Sequence, residues 1–300
     1  MMIANFLQIF NPGPEYFLLG NMAVANLLEL LSFPFMQRAI VGGVLMGILG
    51  GFLGTFVVLR QLSFFSHAVG HSALVGVVLG VLLQVDPNWT LLPFTLVFGL
   101  SSLYLIERTK LPSDSVFSIA VSGALAIGVI LTSFIPGYRG NLMAVLFGDI
   151  LAIGQTDIFL IVGLLGISCL FLFSTWRQQI LLTLNPELAQ VQGVSVDIYR
   201  YLFVVLLSLT VAISIKAVGI LLINAFLVIP AATAKLMTHH FTLFIALSVL
   251  LGATSSLVGM LGSGLFNFAS GPSIVVVQFS VFLAVLGGSQ IFQLIGFRRQ

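Results

Sequence analysis

Nine apolar runs recur along the chain, near 39–59, 67–84, 90–106, 114–134, 156–175, 199–215, 218–236, 241–264 and 272–295, broken at charges, prolines and polar clusters. A helix needs about 20 mostly apolar residues to cross a bilayer core, and most of these runs meet that length. The pattern predicts an all-α polytopic membrane protein with about nine transmembrane helices, within a range of eight to ten. The stretch 16–33 is short and carries Asn21, Asn26 and Glu29, which predicts an interfacial helix within an N-terminal segment 1–37. Residues 141–153 are expected to form a short helix that dips into the protein between the fourth and fifth spans, since irregular backbone at that depth must be covered by protein or water.

Composition narrows the class. Apolar residues make up 59% of the chain and charged residues 7%, against roughly 25% charged in soluble proteins. With spans filling its length, the chain has no room for an extramembrane domain and reads as one transmembrane domain over 1–300. The net charge of +2, with no basic cluster, gives no support for a nucleic-acid partner. Cys169 is a lone cysteine in an apolar run, which excludes a disulfide framework and a cysteine metal site. Met1 to Glu15 holds no Lys or Arg, so the basic start of a signal peptide is not expected there.

Nine alternating spans put Arg60, Arg108, Lys110, Arg177, Arg200, Lys235, Arg298 and Arg299 on one side, and Arg38, Arg139 and Lys216 on the other. Basic residues favour the cytoplasmic side, so the first set and the C-terminus are assigned inside. The first span carries Gly43, Gly47, Gly50, Gly51 and Gly54 at spacings that let helices approach closely. Pro230 is expected to kink the seventh span.

Candidate chemistry is sparse. His67 and His71 are two of only four histidines and stand four apart at the start of a glycine-rich run. Positions i and i+4 share a helix face, so both imidazoles can point at one spot. Neutral imidazoles suit a borderline divalent ion such as zinc, although zinc takes about four ligands. The alternative is a pair of helix-end histidines facing water or a carbonyl. Asn224 in the seventh span, and Asp149 and Asp157 on the outer side, are candidates to complete a site. Asn224 is equally suited to interhelical hydrogen bonding, and the two acids to solvated loops. His239 and His240, beside Lys235, fit ordinary helix-end capping.

The loop 185–200 has a pattern of its own. Asn185 can cap a helix, Pro186 fits its first position, Glu187 suits its positive end and Gly193 can stop it. A cytoplasmic helix of about two turns follows, either a surface connector or a docking element for a partner.

Taken together, these segments resemble the permeases of bacterial ABC importers for zinc, manganese and related divalent metals, over roughly 36–296. The likeness rests on Gly54 to Ser63 (GTFVVLRQLS), His67 to Gly76 (HAVGHSALVG), Asn185 to Val194 (NPELAQVQGV), and the late pair Leu227 to Ala234 (LVIPAATA) and Ser270 to Val275 (SGPSIV). The resemblance implies a non-enzymatic membrane subunit in the bacterial cytoplasmic membrane. It would work as a pair of permeases, taken as two copies of this chain, with separate ATPase subunits and an extracytoplasmic metal-binding protein. It further implies that Asn185, Pro186, Glu187 and Gly193 belong to the helix that couples to the ATPase, and that His71 matches the family histidine near the metal path. His67 stands where the family usually has Asp, and Val75 where it has Pro. An imidazole in place of a hard carboxylate favours zinc over manganese or iron as the transported ion. No permanently bound cofactor is implied.

Two rival classes fare worse. An ion-gradient-driven transporter usually needs buried acids for coupling, and the spans hold essentially none. A metalloprotease His-Glu-x-x-His pattern fails because Ala68 stands in the place of Glu, and no ATP-binding Gly-x-x-x-x-Gly-Lys-[Ser/Thr] loop is present.

Overall fold

The computed structural model describes residues 31–109, 111–135 and 150–297. Asp149, the expected interfacial helix up to residue 30, and the dipping segment before Ile150 lie outside them. The described residues form eleven helices and no strand. In order they are α1 (Pro34–Leu59), α2 (Ser63–Leu82), α3 (Pro87–Thr109), α4 (Ser113–Thr132), α5 (Gln155–Ser174), α6 (Trp176–Leu184), α7 (Pro186–Val191), α8 (Val196–Val218), α9 (Ile220–Met237), α10 (Phe241–Phe266) and α11 (Ser270–Phe297). A 3₁₀ turn, Ile150–Ala152, precedes α5.

Eight of these helices are long and apolar enough to cross a bilayer, and α9 is the ninth and shorter one. Its 18 residues, Ile220–Met237, span about 27 Å at 1.5 Å per residue, a little short of a core about 30 Å thick. The shortfall is tolerated because α9 is wrapped by protein: Phe226, Leu227, Ala231 and Ala234 are fully buried. Lys216 is expected to break the chain between the spans, yet α8 continues to Val218 and the reversal falls on Gly219 alone. Gly219 has φ 83°, a left-handed conformation that glycine adopts without a Cβ penalty. Helix α9 runs through Pro230.

The centre of the bundle is α1. A Cβ at Gly47 would stand under 3.0 Å from the backbone of Gly252, and one at Gly51 under 3.0 Å from that of Ser248, so this face of α1 lies directly on α10. Ser248 Oγ donates to the Gly51 carbonyl at 2.8 Å. A second face, at Gly50 and Gly54, meets the backbone of Phe226 and Leu227 in α9. The glycine spacing read as close packing therefore serves two partners at once. Small residues let backbones approach where lipid offers no hydrophobic drive for association.

A polar cluster lies at one end of the bundle. Arg200 Nη1 donates to Glu107 at 3.2 Å, Tyr201 Oη donates to the same carboxylate at 3.0 Å, and Arg60 reaches α6. This is the end that the charge bias assigns to the cytoplasm.

Candidate functional site

His67 and His71 are the fifth and ninth residues of α2, about 6 and 12 Å along its axis from Ser63. Their ring centroids stand 4.3 Å apart at an interplanar angle of 62°, so the four-residue spacing brings both imidazoles to one spot. Phe64 packs on His67 with centroids 4.9 Å apart. Both histidines are half-buried, and the flanking Ser66, Ala68, Val69, Gly70 and Ser72 are buried.

The start of α9 closes onto this face. Gly70 makes that possible, because a Cβ there would stand 2.8 Å from Ile220 Cγ2. One turn further on, Asn224 places its amide nitrogen Nδ2 3.3 Å from His67 Nδ1. The second polar atom of that amide is buried and has no hydrogen-bond partner. The orientation of the amide decides the chemistry. With the nitrogen toward the ring, Nδ1 accepts, Nε2 carries the proton and His67 cannot ligate through it. With the oxygen toward the ring, Nδ1–H donates and the Nε2 lone pair is free for a cation. A single amide flip thus separates a structural hydrogen bond from a site prepared for a metal.

The other candidates are placed elsewhere. Asp157 is the third residue of α5, and its carboxylate accepts from Gly154 N–H at 3.0 Å, closing the helix start. Among the described residues no third His, Cys, Asp or Glu gathers with the pair. His239 and His240 are exposed in the turn between α9 and α10, where Thr238 Oγ1 accepts from His240 N–H at 3.1 Å.

At the polar end, the 185–193 pattern forms the expected local structure. Asn185 Oδ1 accepts from Leu188 N–H at 3.1 Å, Pro186 opens α7 and Glu187 lies in its first turn. Gly193 ends it at φ 81°. Ala189 is fully buried, while Leu184, Leu188 and Val191 are 76%, 55% and 85% exposed. A cavity of about 300 Å³ opens beside the stop, lined by Arg177, Gln192, Gly193, Val194 and Tyr199.

The pattern of apolar runs does not reveal α6, which follows α5 after a break at Thr175. It buries Gln179 and Leu182 and presents Gln179 and Thr183 to Arg60. Burial, and then the positive charge of Arg200, push the Arg60 guanidinium down to about 9. The one signal in the sequence was an arginine directly after an apolar span.

Comparison with known proteins follows the same outline. Residues 32–288 match the ABC 3 transport family. The high-affinity zinc uptake system membrane protein ZnuB of Haemophilus influenzae is 34% identical over 258 residues, covering 85% of this chain and 97% of that protein. The manganese import system permease protein ScaB of Streptococcus gordonii is 35% identical over 253 residues, covering 84% and 90%. Among solved structures, PsaBC from Streptococcus pneumoniae in complex with Fab superposes with a TM-score of 0.76 at 33% identity, covering 87% of this chain and 95% of that one.

Proposed function

Because the chain belongs to the ABC 3 transport family, we propose that it is the permease of an importer that moves a divalent metal into the cytoplasm, zinc in preference to manganese. The observation that carries the reading is the imidazole pair, 4.3 Å between centroids, with the Asn224 amide against it. His67 and His71 offer nitrogen to the passing ion, and Asn224, with its amide turned to set its oxygen against Nδ1, holds His67 in the tautomer with a free Nε2. Two imidazoles form an incomplete set for zinc. An ion in transit needs such a site, because one bound as in a structural centre would not leave. The metal is cargo here, not a resident cofactor.

The energy comes from elsewhere. We assign ATP hydrolysis to separate subunits that seat against α7, whose exposed Leu188 and Val191 are apolar groups left for a partner to cover. Two copies of the permease, an extracytoplasmic metal-binding protein and a location in the bacterial cytoplasmic membrane complete the proposed assembly.

Manganese is the second reading, favoured by the likeness to the Streptococcus gordonii permease. Competition between the two ions for uptake separates them. The wild type should prefer zinc, and His67→Asp, which exchanges a nitrogen ligand for oxygen, should move the preference toward manganese. A wild-type preference for manganese that His67→Asp leaves unchanged would remove His67 from the selection of the ion.

A further inference from the structure

Arg60 stands at the corner between α1 and α2, seven residues before His67. Its Nε donates to Thr183 Oγ1 at 3.1 Å, and its Nη2 to Gln179 Oε1 at 2.5 Å and to the Gln179 carbonyl at 3.3 Å. The guanidinium carbon lies 4.4 Å from the Phe203 ring centroid and 5.6 Å from that of Phe56. Gln179 and Thr183 belong to α6, which ends directly before Asn185, the cap of α7. Phe203 belongs to α8, which begins soon after Gly193 stops α7. One side chain therefore grips the segments on both flanks of α7, and it hangs from the corner that leads into the histidine helix. At that corner Gln61 holds φ 56°, so only Gln61 and Leu62 separate the guanidinium from the start of α2.

Packing alone does not account for this residue. All of its hydrogen-bond acceptors are neutral, and the Glu107 carboxylate is already held by Arg200 and Tyr201. Nη1 is buried with no partner. A half-buried cation without a counter-charge is costly, and an apolar side chain of similar volume would fill the place at less cost. What an apolar residue cannot supply is a rigid fork that bonds α6 while its flat face stacks on α8. Next to it lies a cavity of about 280 Å³, lined in part by Arg60, Thr183, Pro186, Arg200 and Phe203, which leaves room for these segments to shift.

We propose that Arg60 is a positioning residue that transmits movement of α7 to the helix carrying His67 and His71. This rests on the reading of α7 as the segment on which the ATPase acts. When α7 moves, α6 and the start of α8 move with it, and the clamp carries the displacement through the α1–α2 corner into α2.

The test uses the whole transporter in proteoliposomes, with its ATPase subunits and binding protein, reading zinc uptake and ATP hydrolysis from the same preparation. Arg60→Gln should keep hydrolysis while uptake per ATP falls about tenfold, the equivalent of one charge-assisted hydrogen bond. Arg60→Lys keeps the charge but not the fork and should recover only part of the ratio. A merely structural role would lower both rates together through lost assembly, with an unchanged ratio, and that result overturns the proposal. If Arg60→Gln does not assemble, Thr183→Val removes the Nε acceptor, together with the hydroxyl's own bond to the Gln179 carbonyl, and should lower the same ratio; an unchanged ratio there also overturns it. Unchanged ratios in the Arg60 variants alongside a reduced one in Gly193→Ala sink the clamp and spare α7. Unchanged ratios in both sink the reading of α7 and the clamp with it.

Discussion

Alanine at Gly47 should weaken the bundle at a crowded backbone contact. The new Cβ would stand under 3.0 Å from the carbonyl of Gly252 and from Ser256 Oγ, and the reverse substitution at Gly252 would strike the Gly47 carbonyl. Backbone atoms cannot rotate away, so α1 and α10 must part by about 1 Å to restore ordinary contact. Overpacking of this kind costs about 1–3 kcal/mol. One turn away, the 2.8 Å bond from Ser248 Oγ to the Gly51 carbonyl would stretch, losing about 0.6 kcal/mol on the scale measured between membrane helices. Against these stands the better helix propensity of alanine, about 1 kcal/mol. The net expectation is a loss of about 0.5–2.5 kcal/mol. Gly163→Ala is the control, because nothing lies within 4 Å of a Cβ at Gly163 in α5; it should be neutral or stabilising by up to about 1 kcal/mol. The assay is thermal unfolding in detergent, followed by a thiol-reactive dye on the single, half-buried Cys169. Gly47→Ala should unfold several degrees below the control. An equal or higher unfolding temperature would refute the claim that α1 and α10 meet backbone to backbone.

Three further expectations concern the ends of the bundle and the histidines. Asn185→Ala removes the oxygen that accepts from Leu188 N–H, at about 1 kcal/mol of local helix stability; combined with Gly193→Ala, at φ 81°, it should lower uptake while the subunit still inserts, and unaltered uptake would end the docking role of α7. On a Cys169→Ser background, an impermeant thiol reagent applied outside should label Val85→Cys and spare Gln61→Cys, and the opposite pattern would invert the assigned sides. Imidazole binds a cation only when neutral, so uptake should weaken in acid, where histidine takes up a proton; a profile that stays flat into the acid range would argue against histidine ligands.

Much of the bundle was legible because its breaks are local. Prolines, charges and polar clusters end the apolar runs, and the Asn185-to-Gly193 pattern names its own cap, first turn and stop. The facing of His67 and His71 also follows from spacing alone. What stayed hidden depends on partners far along the chain. The glycines of α1 announce close approach, but not that one face meets α10 and the other α9. Gln179 and Thr183 look like ordinary surface polar residues until Arg60, more than a hundred residues earlier, is brought against them. Asn224 stands out as an amide in an apolar run, yet its place beside His67 depends on Gly219 turning the chain and on Gly70 admitting Ile220. Asp157 shows the opposite case, since an acid near a helix start is suited to closing that start, and it does so here.

Zinc uptake by the reconstituted transporter, compared between the wild type and His67→Ala/His71→Ala, tests the central claim most directly. A double variant that assembles normally should lose most of its uptake, because both nitrogen ligands on the path are gone. Equal uptake by the two would contradict the metal reading and leave the pair as ordinary histidines near a helix start.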